Sequence, residues 1–333
     1  MKNKQKKQWM LPFLAVFLLA AAVAGLLIWM EGKQRGGDRG GEAVSATEVD
    51  YHTLEADGKE YQYNTSRVNF LFVGVDSSTD AIEGQADTIL LVTCDRSQET
   101  MDVISFSRDS MLPIQVFDAS GKNLGWENQH LGLAFSYGET PEQGCMLTAE
   151  AVSRSMNSIP VIYYTAANIS SITDFQNLVG PLTVTVPGDD LEYLGEEYKK
   201  GASLTLDTSN VETFLRTRNT GESYTNSSRM ERQRTYINAY LNQLKKRLEE
   251  NFDQTVDQMS DLSGHLVTNI SLDEISAFSE MLMTYSFSED RYHVVEGTDQ
   301  KGMFHDEYII EEDALKTLLL DLFYVEKGSG SAP

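Results

Sequence analysis

Soft metal ligands, phosphate-cradling glycine loops and positive charge are all scarce in this chain. Cys94 and Cys145 are its two thiols, too few for a cysteine-built zinc centre. In an oxidising exterior they either form one disulfide or stay as two buried free thiols. His52, His130, His265, His293 and His305 are scattered and show no ligand spacing. No P-loop, dinucleotide glycine fingerprint or Gly-x-Ser-x-Gly elbow occurs, which leaves nucleotide-enzyme and serine-hydrolase readings without support. The 27 Lys and Arg face 50 Asp and Glu, a formal net charge of -23. Such a balance argues against a broad face for nucleic acid or anionic lipid.

What is present suffices for a large core: 333 residues, 41% hydrophobic and 10% aromatic, enough for one large domain or two modest ones. Residues 1–8 carry Lys2, Lys4, Lys6 and Lys7 and precede an uncharged apolar run over 9–30. At helical rise that run spans roughly 33 Å, the thickness of a bilayer core. The lysine excess keeps the short tail cytoplasmic. Ala22-Val23-Ala24 resembles a signal-peptide cleavage site, yet Leu26, Leu27, Ile28 and Trp29 continue the run, so a single-pass anchor with an extracellular domain is the expected reading. Residues 31–66 begin rich in Gly and charge and read as a stalk. About eight residues ahead of the anchor cannot fold into a DNA-binding module.

Beyond the stalk, Val68–Val75, Thr88–Cys94 and Met101–Phe106 are short, β-branched-rich and almost continuously apolar, as strands covered on both faces are. Further strands are expected at Val161–Tyr164, Leu182–Val186 and Val211–Leu215, and helices near 141–157, 166–178 and 229–250. The alternation implies an α/β core. Ser228 and Glu231 form a capping box that opens the last of these helices at Arg229. Met230, Ile237, Leu241, Leu244 and Leu248 form its apolar stripe. Arg229, Arg232 and Gln233 occupy an adjoining wedge at the positive helix end, where anions are favoured. Arg234 lies nearer the stripe and reads as a snorkelling structural residue. Main domain 67–250 is followed by a 251–333 extension read as helical, with a capping box at Ser271–Glu274 and a final helix carrying Leu315, Leu318, Leu319, Leu322 and Phe323.

If the first three strands form an antiparallel meander, Asp76, Asp87 and Arg108-Asp109 meet on one edge of the sheet. Two carboxylates with room for water make a minimal Mg²⁺ site completed by substrate phosphate oxygens. The alternative is two turn residues and a surface ion pair. Arg216 and Arg218 alternate onto one strand face and need an anion or carboxylates between them, with a diphosphate or Glu212, Glu222 and Asp207 as the options. Between residues 216 and 234 five arginines outnumber Glu222 and Glu231, a local excess suited to a small anion.

The segments Asn69-Phe-Leu-Phe-Val-Gly-Val-Asp76, Ala86-Asp87-Thr88, Ser105-Phe-Ser-Arg108-Asp109, Leu182-Thr-Val-Thr-Val-Pro187, Leu215-Arg216-Thr-Arg218 and Arg229-Met-Glu-Arg232-Gln233 occur in the order seen in LytR-CpsA-Psr proteins, and the chain resembles that family over roughly 68–250. The resemblance implies a three-layer α/β/α domain with a central mixed sheet, preceded by one transmembrane helix. It implies transfer of a glycan phosphate from a polyprenyl-diphosphate carrier to peptidoglycan or a similar envelope acceptor, with the lipid tail in an apolar cleft. By motif position, Asp76 and Asp87 would hold Mg²⁺ (or Mn²⁺). Arg108, Arg216, Arg218, Arg229 and Gln233 would hold the diphosphate, with Arg232 close by. Asp109 would orient Arg108 or accept the proton of an attacking sugar hydroxyl. Two rivals remain, a pyrophosphohydrolase of the same substrate and a non-catalytic receptor for lipid-linked glycans. Two departures stand out. Ser107 replaces the Pro often found before the Arg-Asp pair. Trp126-Glu127-Asn128 stands where Lys-Ile-Asn often precedes an aromatic-rich helix, which removes one phosphate contact.

Overall fold

The computed structural model describes residues 53–77, 81–168, 171–217, 225–262, 266–271, 273–303 and 305–328. The expected membrane anchor over 9–30, and most of the stalk, lie outside them. Among the described residues no helix is long and apolar enough to cross a membrane.

Six strands build the central sheet: β1 (Arg67–Val75), β2 (Ala86–Asp95), β3 (Thr100–Phe106), β4 (Tyr163–Asn168), β5 (Leu266–Thr268) and β6 (Tyr292–Val294). Their spatial order is β5-β4-β1-β2-β3-β6. The three apolar runs do form the expected meander, antiparallel from β1 to β2 and from β2 to β3. β4 runs parallel to β1, and β6 parallel to β3, so the sheet is mixed. Every residue of β1 and β3 is buried, because alternate side chains enter two separate cores. Val68, Phe70 and Phe72 point into one, Leu71, Val73 and Val75 into the other.

Helices α1 (Pro141–Ser155), α2 (Ile172–Val179), α3 (Val211–Arg216), α4 (Thr225–Glu250), α5 (Phe252–Leu262), α6 (Asp273–Thr284) and α7 (Glu312–Phe323) cover both faces. The first core takes buried residues of α2, α3, α4, α5 and α6. The second takes those of α1, α7 and the hairpin Met111–Phe117/Asn123–His130. The result is an α/β/α layering. Cys94 and Cys145 are free and buried, one in each core.

Several expectations need correction. The end of the 31–66 stretch read as a stalk is built into the fold, since Leu54–Ala56 and Lys59–Tyr63 pair antiparallel and Tyr324–Glu326 extends them. The strand expected at Val161–Tyr164 runs on to Asn168, so the helix expected from 166 begins at Ile172. Val211–Leu215 is not a strand but helix α3. Asp207 turns the chain just before it, its side chain accepting from Ser209 N at 2.8 Å and its carbonyl from Val211 N at 3.0 Å. Helix α4 starts at Thr225, one turn before the Ser228 box, so Arg229 lies in its second turn. The chain beyond residue 251 is not only helical, since β5 and β6 form the two outer strands of the central sheet.

At the edge of the sheet away from the Asp76 end, Arg67 and Asp102 form a buried pair at 3.0 Å, and Arg291 and His293 approach the same carboxylate at 3.2 Å. Burial alone would raise the Asp102 carboxyl, but the hydrogen bonds from His293 and Arg67, with the charges of Arg67 and Arg291, hold it below the usual range. Asp102→Ala removes the nearer of the two buried carboxylates that hold Arg67, leaving Asp95 at 3.4 Å, at an expected loss of about 3 kcal/mol in urea unfolding at neutral pH. A carboxyl lowered by folding stabilises above its unfolded value and loses that contribution as pH falls through the folded one. The gap between wild type and variant should therefore be full above about pH 5 and shrink below about pH 4.

Candidate active site

The ladder between β1 and β2 slips at one point: Gly74 faces Thr88 and Val75 faces Ala86. Asp87 is the extra residue of that bulge, a device that re-aims a side chain near a strand end. It lies across from the last step of β1, just before Asp76. Ile89 faces Phe106, so the turn holding Arg108 and Asp109 lies on the same edge. On the far side of β1, Val75 faces Asn168, whose buried side chain donates to Ala81 O at 3.1 Å and ties down the loop after Asp76. The site thus lies beyond the carboxyl ends of the parallel strands β1 and β4, where open α/β sheets bind ligands.

Six of the expected residues make side-chain ion pairs here, in two groups: Asp87 with Arg108, Asp109 and Arg229, and Asp76 with Arg216. Arg108 contacts the Asp87 carboxylate and Gln85, and its Nε is 3.5 Å from Asp109. Arg229 reaches Asp87 from α4, donating to Oδ2 and to the carbonyl, each at 3.2 Å. Arg216, at the C-terminal end of α3, bridges Asp76 at 2.5 Å and Glu212 one turn back. Gln233 is nearby, donating to Thr88 Oγ at 3.1 Å. Burial opposes the charge on Arg216, yet Asp76 and Glu212 outweigh it and hold the guanidinium more firmly protonated than usual. Of the carboxylate options for Arg216, Glu212 is realised among the described residues, joined by Asp76, while Glu222 lies outside them. Arg218 lies outside the described residues.

Arg232 does something else. It is fully buried, and it donates to Phe214 O at 2.8 Å and Thr217 O at 2.5 Å while approaching Asp190 at 3.3 Å. It caps the end of α3 and so fixes the backbone that carries Arg216. Arg234 lies over the Tyr292 ring at 5.8 Å, which agrees with its structural reading.

Sequence reading missed two supports. Asn226 is 4% exposed and Ser107 2%. Asn226 donates to Ser107 Oγ at 2.9 Å, and that oxygen also accepts from Asp109 N at 3.2 Å. Through its side-chain Oδ1 Asn226 accepts from Arg229 at 2.7 Å. One hydroxyl therefore joins the Arg108-Asp109 turn to the start of α4, a bond that Pro at this position cannot make. Gly132 is the other support. Its N–H donates to Arg108 O at 2.9 Å, and a Cβ there would lie 2.7 Å from Ala86 O and 3.3 Å from Arg108 Cβ. The segment after the first hairpin forms two short 3-10 turns, Leu131–Leu133 and Phe135–Tyr137. Trp126 packs under Arg154, whose guanidinium is 4.6 Å from the ring centre.

Among the described residues no group of three or more His, Cys, Asp or Glu is gathered for a metal. Asp76, just past the end of β1, and Asp87, near the start of β2, are hard oxygen donors, a set that suits Mg²⁺ when phosphate oxygens and water complete the shell. The alternating acids and guanidiniums fit a bound anion whose oxygens take over the arginines.

The LytR_cpsA_psr family model matches residues 29–319. In sequence the chain is 23% identical over 324 residues to the polyisoprenyl-teichoic acid–peptidoglycan teichoic acid transferase TagV of Bacillus subtilis (strain 168), covering 94% of this chain and 76% of that protein. The crystal structure of B. subtilis TagV superposes with a TM-score of 0.58 at 21% identity, over 78% of this chain and 97% of that one. A structure of TagT bound to LIIa-WTA gives 0.57 at 20% identity, over 77% and 89%. These likenesses bear out the α/β fold with its central mixed sheet.

Two substitutions test the supports. Ser107→Ala leaves the buried Asn226 amide nitrogen, among the described residues, with the Met230 sulfur at 3.7 Å, an expected loss of about 1–3 kcal/mol in urea unfolding. Gly132→Ala forces Ala86 and Arg108 apart and should destabilise by about 1–3 kcal/mol. Calorimetric melting of the variant against wild type checks the second.

Proposed function

The chain belongs to the LytR-CpsA-Psr family, and we propose that it is a membrane-anchored transferase that moves a glycan phosphate from a polyprenyl-diphosphate carrier to peptidoglycan or a similar envelope acceptor. The observation that carries this reading is the single sheet edge where Asp76 and Asp87 interleave with Arg108, Arg216 and Arg229. Relatives named as teichoic acid transferases act between a polyisoprenyl carrier and peptidoglycan, which supports the same class of donor and acceptor here. The anchor over 9–30 would hold the domain outside the cell membrane.

In this reading the diphosphate lies against Arg108, Arg216 and Arg229, with Arg218 and Gln233 as further contacts. Guanidiniums aimed at non-bridging oxygens stabilise the charge that builds during transfer, and they need no reorganisation when the reaction occurs. Asp76 and Asp87 would hold Mg²⁺, which when bound offsets phosphate charge and helps polyprenyl phosphate leave. Asp109 orients Arg108 by their side-chain contact. Arg232 acts indirectly, by holding the end of α3 on which Arg216 depends.

Full-length protein in detergent, given Mg²⁺, lipid-linked glycan and peptidoglycan acceptor, should release polyprenyl phosphate and form a glycan–acceptor adduct. Arg216→Ala should slow that release by about 10²–10³-fold. Free glycan phosphate in place of the adduct would mean a pyrophosphohydrolase, and tight donor binding without turnover would mean a receptor.

A further inference from the structure

Four carboxylates at the site each touch a guanidinium: Asp76 and Glu212 touch Arg216, Asp87 touches Arg108 and Arg229, and Asp109 touches Arg108. A fifth does not. Asp299 accepts a hydrogen bond from Ser227 Oγ at 3.1 Å, and among the described residues no Lys or Arg forms an ion pair with it.

The fold puts Asp299 there deliberately through a second hairpin, Gly297–Lys301 against Asp306–Ile310. Asp299 lies directly opposite Tyr308 in that ladder, and Tyr308 N donates to Asp109 O at 2.8 Å. The Tyr308 hydroxyl donates to Val295 O at 2.9 Å, and Asp306 O lies 3.0 Å from His130 Nε2. These tethers hold the hairpin against the Arg108-Asp109 turn. Ser227, in the first turn of α4, fixes the carboxylate from the other side, two residues before Arg229.

An attacking hydroxyl must lose a proton, and the group that takes it must be within reach and basic enough. A carboxylate in contact with a guanidinium is a poor base because the ion pair favours its ionised form. Around Asp299 the balance is opposite. Burial pushes its carboxyl up, the Ser227 hydrogen bond works against that, and the negative charges of Asp109 and Asp306 add to the rise.

We infer that Asp299 is the general base of the transfer, taking the proton from the acceptor hydroxyl. This rests on the transferase reading above. In the step, the acceptor oxygen forms a bond to the glycan phosphorus and its O–H proton passes to the Asp299 carboxylate. The phosphorus–oxygen bond to the carrier breaks, and its electron pair leaves on polyprenyl phosphate. The two roles left open for Asp109 are thereby divided, with Asp109 orienting Arg108 and Asp299 removing the proton.

The test is the pH profile of kcat for full-length wild type, D299N, D299E and Ser227→Ala in the same acceptor assay. D299N should lower kcat by about 10²-fold or more, leave the donor KM little changed and flatten the acid limb. D299E should restore part of the rate. Ser227→Ala removes the hydrogen bond that favours the ionised carboxylate, so the acid limb should move to higher pH. Should D299N fail to fold, the Ser227→Ala profile decides alone. Wild type that never releases polyprenyl phosphate refutes the transferase itself. Wild-type turnover with the acid limb intact in D299N, or unmoved in Ser227→Ala, refutes only the assignment of the base.

Discussion

Asp87 occupies a bulge in β2, and two guanidiniums from distant parts of the chain close on its carboxylate. Arg229 is 3% exposed, so its charge is stable only because a counter-ion sits against it; a buried ion without a partner is among the most destabilising arrangements in a protein. The same pairing draws the sheet, the turn after β3 and the start of α4 to one point. Folding and anion recognition therefore use the same contacts. An arriving phosphate offers oxygens of the kind that the acids now supply.

Around that centre the molecule separates residues that would touch ligand from residues that hold them. Arg232 spends its donors on two backbone carbonyls and one acid, and burial pulls its ionisation downward with Asp190 only partly offsetting it. Ser107 and Asn226 link the turn and the helix through hydrogen bonds between buried groups, where a partly satisfied network is costly. Asp109 is anchored at its N–H, its carbonyl and its side chain. Such over-determination keeps guanidiniums in place before any ligand arrives.

Much of this was legible in the residues. Continuous apolar runs gave the three buried strands, and antiparallel connection alone brought Asp76, Asp87 and Arg108 to one edge. The arginines of α4 were found from their place beside an apolar stripe. Other features could not be read because they depend on what lies opposite. Arg229 and Arg232 are three residues apart on one helix, yet one faces an acid of β2 and the other the end of α3. Val211–Leu215 is too short for its period to separate strand from helix, and the deciding signal was the Asp207 turn before it. β5 and β6 have three residues each, below the length at which alternation is visible. Asp299 gains its place only from hairpin register.

The two sulfurs carry a consequence of their own. Cys94 and Cys145 sit in different cores with the sheet between them, and burial pushes both thiols far up, away from the reactive thiolate form. No bridge can join them while the sheet is intact. The domain thus needs no oxidant to mature and carries no cross-link for a reductant to cut, so its integrity is indifferent to the redox poise of whatever compartment surrounds it.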